Sequence, residues 1–336
     1  MPIDSVPKHL NFFWWNVESF AHFVPQQKAL ARWPESAAAY VEKCHRVDSV
    51  LSRATEQHGR PAVVGLAEVT WEAAHQLRDR LFLGYNVCSL DLFTNDPEFQ
   101  VAILYDGSLD FRESPPLAAP SMSRRTRPMA VVDFQQGRDT IRFIACHWTA
   151  RMGVNRGEKE RERLASFLAE QIYEYVHQAP PDERHHVVVM GDLNNEPFEG
   201  HFEEWHSFAR NRPRATQPEH YTDQDVRRIR MYNCAWRWLG EQWTHSHSEP
   251  LLPSIAGTYF SEETKNWHTF DQILVTGGLL TQEFPVLAEE YVCRFIDPAL
   301  FDQGGQLRKF DWNGGRPYGV SDHVPLVGRI FYRQEK

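Results

Sequence analysis

Apolar positions along the chain fall into short β-branched or aromatic runs separated by polar and helical stretches. The run NFFWWNV predicts a strand at 11–17, and a helical pattern follows over about 26–57, interrupted near Pro34. PAVVGLAEV at 61–69 returns to strand character and closes on Glu68. Further strands are predicted at 99–105, 129–134, 140–148, 185–192, 270–276 and 323–332. Between them, residues 156–176 carry Leu164, Phe167, Leu168, Ile172 and Tyr175 near one face and charges on the other, an amphipathic helix. Residues 106–128 and 210–262 lack periodicity and read as elaborations, apart from a helical piece at MYNCAWRWL (231–239). Strands joined here by helices and there by short turns predict two facing sheets with helices outside.

The polar residues that interrupt this pattern stand at strand ends. Asn16 follows the first strand, Glu68 ends the second, and His147 closes IRFIACH. Asp192 and Asn194 follow HVVVM, Asp271 opens FDQILV, and Asp322 and His323 open the last strand. Each alone would be a cap or turn residue. Together, from 16 to 323, they predict strands converging on one polar centre, because a polar group beside an apolar run is costly unless it has partners. Oxygen donors without sulfur suit a hard cation, Mg²⁺ or Mn²⁺. A divalent cation with histidine and carboxylates is a constellation for attack of water on a phosphoester.

Composition narrows the field. The formal charge of −9 argues against a broad cationic surface for duplex DNA. Arginine nevertheless outnumbers lysine 29 to 7, and its fork suits phosphate. Arg124, Arg125 and Arg127 form one cluster and Arg227, Arg228 and Arg230 another; each reads either as a solvated surface run or as a phosphate contact, with Arg124, Arg125 and Arg127 the candidates for substrate phosphate. Cys44, Cys88, Cys146, Cys234 and Cys293 are too scattered for a disulfide scaffold and read as reduced core or boundary residues. No apolar stretch is long enough to span a bilayer, and the N-terminus lacks the signal-peptide pattern, so a cytoplasmic location is expected. Phosphate-binding GxxxxGK[ST], dinucleotide GxGxxG and nucleophile-elbow GxSxG motifs are all absent. His245 and His247 lie in a loop-like stretch without carboxylate partners nearby, which argues against a second metal there.

The motifs WN (15–16), GLAEV (65–69), ACHW (145–148), GDLNNEP (191–197), TFDQILV (269–275) and SDHVPL (321–326) give the sequence its resemblance to the endonuclease/exonuclease/phosphatase, or deoxyribonuclease I-like, superfamily. Its members include pancreatic deoxyribonuclease, abasic-site nucleases, neutral sphingomyelinases, inositol-polyphosphate 5-phosphatases and deadenylases. The resemblance implies a four-layered α/β/β/α sandwich with two mostly antiparallel sheets, and one catalytic domain over 1–336. It implies Glu68 as the principal Mg²⁺ ligand, with Asn16 close to the metal or its waters and Asp322 assisting. Asp192 would orient or deprotonate water, Asn194 would hydrogen-bond phosphate, and His323 would pair with Asp271 at the scissile phosphate. His147 would contact phosphate or protonate the leaving group, as in the deoxyribonuclease and sphingomyelinase branches.

Departures from the pattern rank the branches. His147 stands where the abasic-site branch has tyrosine. Val17 follows Asn16 where many of those enzymes carry an acidic ligand one or two places on, although Glu18 is in reach of that role. Met190 and Asn195 break the 5-phosphatase signature WxGDxN[FY]R. The sequence thus points to a Mg²⁺-dependent phosphodiesterase, first of all a nuclease with nucleic acid as substrate. The alternative is hydrolysis of a small phosphorylated metabolite or lipid head group.

Overall fold

Strand β1 (Lys8–Phe20) shows how both faces of a buried strand are used. Phe12 and Trp14 enter the apolar layer between two sheets, whereas Phe13 and Trp15 enter the layer beneath helices. That two-sided burial explains the unbroken aromatic run, since side chains alternate between faces. The computed structural model describes residues 8–23, 34–89, 100–119, 128–151, 157–199, 208–216, 229–240, 255–281, 283–302, 306–313 and 316–333.

The first sheet places β1 between β2 (Pro61–Val69) and β18 (Leu326–Tyr332). It continues through β4 (Gln100–Asp106) to β3 (Tyr85–Ser89) on one side and to β14 (Val286–Leu287) on the other, with β15 (Cys293–Arg294) also on β18. The second sheet runs β5 (Phe111–Glu113), β6 (Ala130–Gln136), β7 (Asp139–His147), β8 (Arg184–Asp192), β13 (Asp271–Thr276), β10 (Met231–Asn233), β9 (Phe208–Ala209). Only β1–β2, β7–β8 and β9–β10 pair in parallel, so both sheets are mixed and mostly antiparallel. Two hairpins, β11 (Tyr259–Ser261) with β12 (Asn266–His268) and β16 (Asp311–Asn313) with β17 (Arg316–Tyr318), stand apart.

Helices α1 (Ala37–His58) and α2 (Trp71–Leu81) cover the outer face of the first sheet through Val47, Leu51, Ala73 and Leu77. Helix α3 (Glu158–His177) covers the second through Leu164, Leu168 and Ile172. These are the four layers of a deoxyribonuclease I-like α/β/β/α sandwich. Among the described residues no helix is long and apolar enough to cross a membrane. The five cysteines are unpaired, four of them buried.

Three local expectations change. MYNCAWRWL is not a helix: Met231–Asn233 extend the second sheet beside β13, and Asn233 then caps a single 3₁₀ turn, Cys234–Arg237. The open edge of β13 outweighs helical propensity here, with Met231 and Tyr232 entering opposite apolar layers. Residues 323–325 precede the last strand, which begins at Leu326. Strands β5 and β10 lie within the two segments read as elaborations.

Strand β8 must approach β7 closely at Gly191, where a Cβ would lie 2.4 Å from Cys146 Sγ and 2.6 Å from its carbonyl oxygen. Gly191→Ala is expected to cost about 1–3 kcal/mol, as overpacking a filled interior does. Denaturant titration checks this against Gly240→Ala, whose Cβ meets nothing within 4 Å and which should stay within about 0.5 kcal/mol of the parent. Equal stability for the two variants would contradict the packing account.

Candidate active site

The site is a transverse row across three strands of the second sheet, faced by two strand ends of the first. Parallel register sets His147 beside Asp192, and antiparallel register sets Asp192 beside Asp271. His323 comes from the turn ahead of β18. Its Nδ1 lies 2.7 Å from Asp271 Oδ2, while Trp14 Nε1 donates to Asp271 Oδ1 at 2.8 Å. Asp271 is completely buried, and a lone carboxylate there would be costly; an imidazole and an indole answer it.

Asn16 and Glu68 reach the same point from β1 and β2 because both strands bulge. Register jumps from Ala67–Val101 to Val69–Gln100, leaving Glu68 as the extra residue at φ 55. Strand β1 bulges opposite, between Asn16–Ala67 and Phe20–Val69, with Glu18 at φ 48 and Ser19 at φ 50. Such bulges re-aim side chains at strand ends. Asn16 Nδ2 donates to Asp192 Oδ2 at 3.1 Å and to Glu68 Oε1 at 3.5 Å, and the Ser19 amide donates to Glu68 Oε2 at 3.1 Å. His147 Nε2 lies 3.7 Å from Asp192 Oδ2 and 3.9 Å from Glu68 Oε1. Ser321 ties the last turn in: its hydroxyl donates to the Asn16 carbonyl at 2.7 Å and accepts from the His323 amide at 3.0 Å.

The structure therefore brings together Asn16, Glu68, His147, Asp192, Asp271, Asp322 and His323. Asn194, at φ 50, sits against them. Its backbone amide donates to Asp192 Oδ1 at 2.9 Å and its side chain to the Trp148 carbonyl at 3.0 Å, so it holds Asp192 in position. Arg124, Arg125 and Arg127 lie outside the described residues, as do Arg227, Arg228, His245 and His247.

Burial is the largest influence on Asp192 and raises its carboxyl to about 7, with Asp271 adding to the rise and His323 opposing it. Burial alone would lower the His323 imidazole. Asp271, by charge and hydrogen bond, overcomes this and raises it to about 10, with Asp192 and Asp322 contributing. The imidazolium–Asp271 pair thus stabilises the fold in full below about 6.5, and that contribution is lost as pH rises through about 10. Asp192 acts in the same direction at lower pH: its ionisation is disfavoured by the fold, so stability declines as pH rises from the ordinary carboxylate range through about 7.

Asp192, Asp271 and His323 offer ligand atoms within 4.8 Å of one another, a cluster that could coordinate a divalent cation. Both oxygens of Asp271 are engaged by Trp14 and His323, and both oxygens of Asp192 accept hydrogen bonds, from Asn16 and the Asn194 amide. Asp322 adds a buried Oδ1 with no hydrogen-bond partner among the described residues, 3.8 Å from His323 Nε2. Hard oxygen donors with one unanswered carboxylate oxygen fit a hard divalent cation. A cavity of about 630 Å³ lined by Arg138, Asp139 and Arg184 holds none of these residues; it opens where β7 and β8 begin, the end opposite the cluster.

Other residues at the site carry no strand-end signal. Trp14 is indistinguishable in sequence from a packing aromatic. Tyr259 lies 4.7 Å from the His323 ring and stacks on Phe270 at 5.4 Å, and His268 stacks on Phe270 at 4.7 Å. Glu196 accepts from the Thr269 amide at 3.1 Å, and its other oxygen lies 2.8 Å from His268 Nδ1. Lys43 and Lys309 approach from outside the row.

A four-layer sandwich with acidic and histidine residues gathered at its strand ends is the architecture of the deoxyribonuclease I-like superfamily. The chain belongs to the Endonuclease/Exonuclease/phosphatase family, which residues 18–217 match. Membership and the acidic–histidine cluster together support a hydrolase function. Similar solved structures include TDP2 from D. rerio complexed with a single-strand DNA product (TM-score 0.55, 14% identity, covering 96% of this chain and 98% of that one). The Bacteroides thetaiotaomicron mannosyl-6-phosphatase is also similar (TM-score 0.52, 11% identity, 96% and 99% covered). So is a Bacteroides vulgatus endonuclease/exonuclease/phosphatase (TM-score 0.55, 13% identity, 96% and 98% covered). At these identities the likeness is one of fold. No curated protein sequence matches the chain.

The His323 imidazole is expected to titrate near pH 10, read from its ring resonances by NMR, and to fall well toward its ordinary value in Asp271→Asn. A titration unchanged by that substitution would remove Asp271 as the cause.

Proposed function

We propose that the protein is a Mg²⁺-dependent phosphodiesterase that hydrolyses nucleic-acid phosphodiester bonds by attack of water. The observation that carries this reading is the His147–Asp192–Asp271 row with His323 locked to Asp271. Glu68, Asn16 and the Asp322 Oδ1 would hold the cation. When bound, Mg²⁺ supplies charge to offset the phosphate oxygens and lowers the pKa of attacking water.

The side chains then divide the proton work. Asp192, ionised as pH rises through about 7, accepts the proton of the attacking water. His323 remains an imidazolium, because its partner Asp271 is fixed by Trp14, and donates from Nε2 to a phosphate oxygen whose charge grows in the transition state. Asp271 orients that ring through Nδ1, as a buried aspartate does in hydrolytic triads. Asn194 keeps Asp192 aimed, and its remaining amide N–H is left for phosphate. His147, beside Asp192 and Glu68, stands where it can contact phosphate or protonate the leaving oxygen.

Nucleic acid is favoured over a small phosphoester by Tyr259 and His268, half-buried rings stacked on the buried Phe270 beside His323, against which a base can stack. Phe198, 55% exposed, and Trp71, 40% exposed, extend the aromatic character near Asp192 and Glu68 in the chain. The single-strand DNA product named for the D. rerio TDP2 structure accords with this choice. Phosphate contact by Arg124, Arg125 and Arg127 is part of the same reading.

Incubation with Mg²⁺ or Mn²⁺ and matched single-stranded DNA, duplex DNA and RNA tests the proposal. Cleavage is expected with metal and not with chelator, and Glu68→Ala and His323→Ala should each reduce it by roughly 10²–10⁴-fold. Cleavage of a phosphomonoester panel with every polymer left intact would replace nucleic acid by a small phosphoester. Activity that survives chelation would contradict the metal-dependent mechanism.

A further inference from the structure

Lysine is scarce in this chain, seven residues against 29 arginines, yet among the described residues two lysines pair with acids beside the cluster. Lys309 Nζ lies 3.2 Å from Asp322 Oδ2, the oxygen opposite the unanswered Oδ1. Lys43 is 3% exposed, in the middle of α1, and its ammonium lies 3.7 Å from Glu18 Oε2. The same ammonium donates to the Val320 carbonyl and lies 5.3 Å from the centre of the Phe310 ring. A compact point charge fits between a carbonyl, a ring and a carboxylate in a way a planar guanidinium does not. Burying a lysine is costly unless it is paired, so the carboxylate of Glu18 is the counterpart that Lys43 needs.

The charge of Asp271 is offset by the imidazolium of His323, which leaves Glu18, Glu68, Asp192 and Asp322 as the acids of the centre. The Glu18 amide donates to Asn16 Oδ1 at 3.1 Å, which sets Glu18 directly behind Asn16. The formal charge of four carboxylates equals that of two divalent ions; with two of them paired to lysines, the remaining formal charge equals that of one.

Resting on the metal-dependent reading above, we propose that Lys43 and Lys309 act as resident cations, holding Glu18 and Asp322 in ion pairs so that the centre takes a single divalent cation. They are positioning residues. Lys43 fixes the Val320 carbonyl just ahead of Ser321, Asp322 and His323, and Lys309 holds one oxygen of Asp322 while leaving the other for the cation.

Titration of the full chain with Mn²⁺ near pH 7.5, followed by calorimetry and by the electron paramagnetic resonance of free Mn²⁺, tests this without reference to turnover. One Mn²⁺ per chain is expected, lost in Glu68→Gln. Lys309→Met is expected to bind a second Mn²⁺, or to bind the first about tenfold tighter because a repelling unit charge has gone. Lys309→Arg should retain one ion at near-parent affinity. Lys43→Met is read alongside its thermal unfolding, and Lys309, half-exposed, gives the decisive variant if Lys43→Met does not fold. Two Mn²⁺ bound by the parent chain, both lost in Glu68→Gln, would overturn the lysine assignment and leave the metal-dependent reading standing. Unchanged number and affinity in Lys309→Met would overturn it equally. No Mn²⁺ binding by the parent would overturn both.

Discussion

Everything at the site depends on how one buried carboxylate is answered. Asp271 opens a strand of the second sheet, and its two oxygens are taken by groups from the first: the indole of Trp14 in β1 and the imidazole of His323 ahead of β18. A carboxylate buried without partners destabilises a fold by several kcal/mol, and breaking a buried pair by removing one member costs about 3–5 kcal/mol. The need to satisfy Asp271 therefore pins the two sheets to each other at this edge. It also orients the ring of His323 and favours its protonated form. Folding and the proposed chemistry share one interaction.

From that fixed point the geometry propagates by register. Because β7, β8 and β13 are adjacent, His147, Asp192 and Asp271 stand side by side with no loop to position them. The first sheet contributes through irregularity instead. Bulges in β1 and β2 place Glu18, Ser19 and Glu68 in the left-handed region, where a non-glycine residue costs about 1–3 kcal/mol. Hydrogen bonds to these same residues hold the strained backbone: the Glu18 amide to Asn16, the Ser19 amide to Glu68. Strain is thus concentrated where the carboxylates must leave the plane of the sheet.

Much of this was legible in the sequence. Strands with continuous β-branched runs were readable because both faces of each sheet are covered, which makes the apolar signal unbroken; β2 matches its predicted 61–69 span. Helix α3 was readable because its apolar residues are large and regularly spaced. Helix α2 was not, since its buried face is Ala73, Ala74 and Leu77, too small to stand out. The piece at 231–239 misled because its residues favour a helix while an open strand edge rewards extension. Polar residues at strand ends marked most of the cluster. The tight pairing of Asp271 with His323 came from family resemblance, as no local pattern links residues so far apart. Trp14 and Lys43 were invisible for a common reason: a tryptophan in a strand reads as packing, and a lysine in a helix reads as solvent-facing.

In the proposed mechanism the strand-end cluster is one metal-binding centre organised by Asp271. A crystal soaked with Mn²⁺ and measured at the manganese absorption edge tests it most directly. An anomalous peak is expected at about 2.0–2.4 Å from oxygens of Glu68 and its neighbours, with His323 still hydrogen-bonded to Asp271. A peak elsewhere, or an ion held by Asp271 after His323 has swung away, would contradict it.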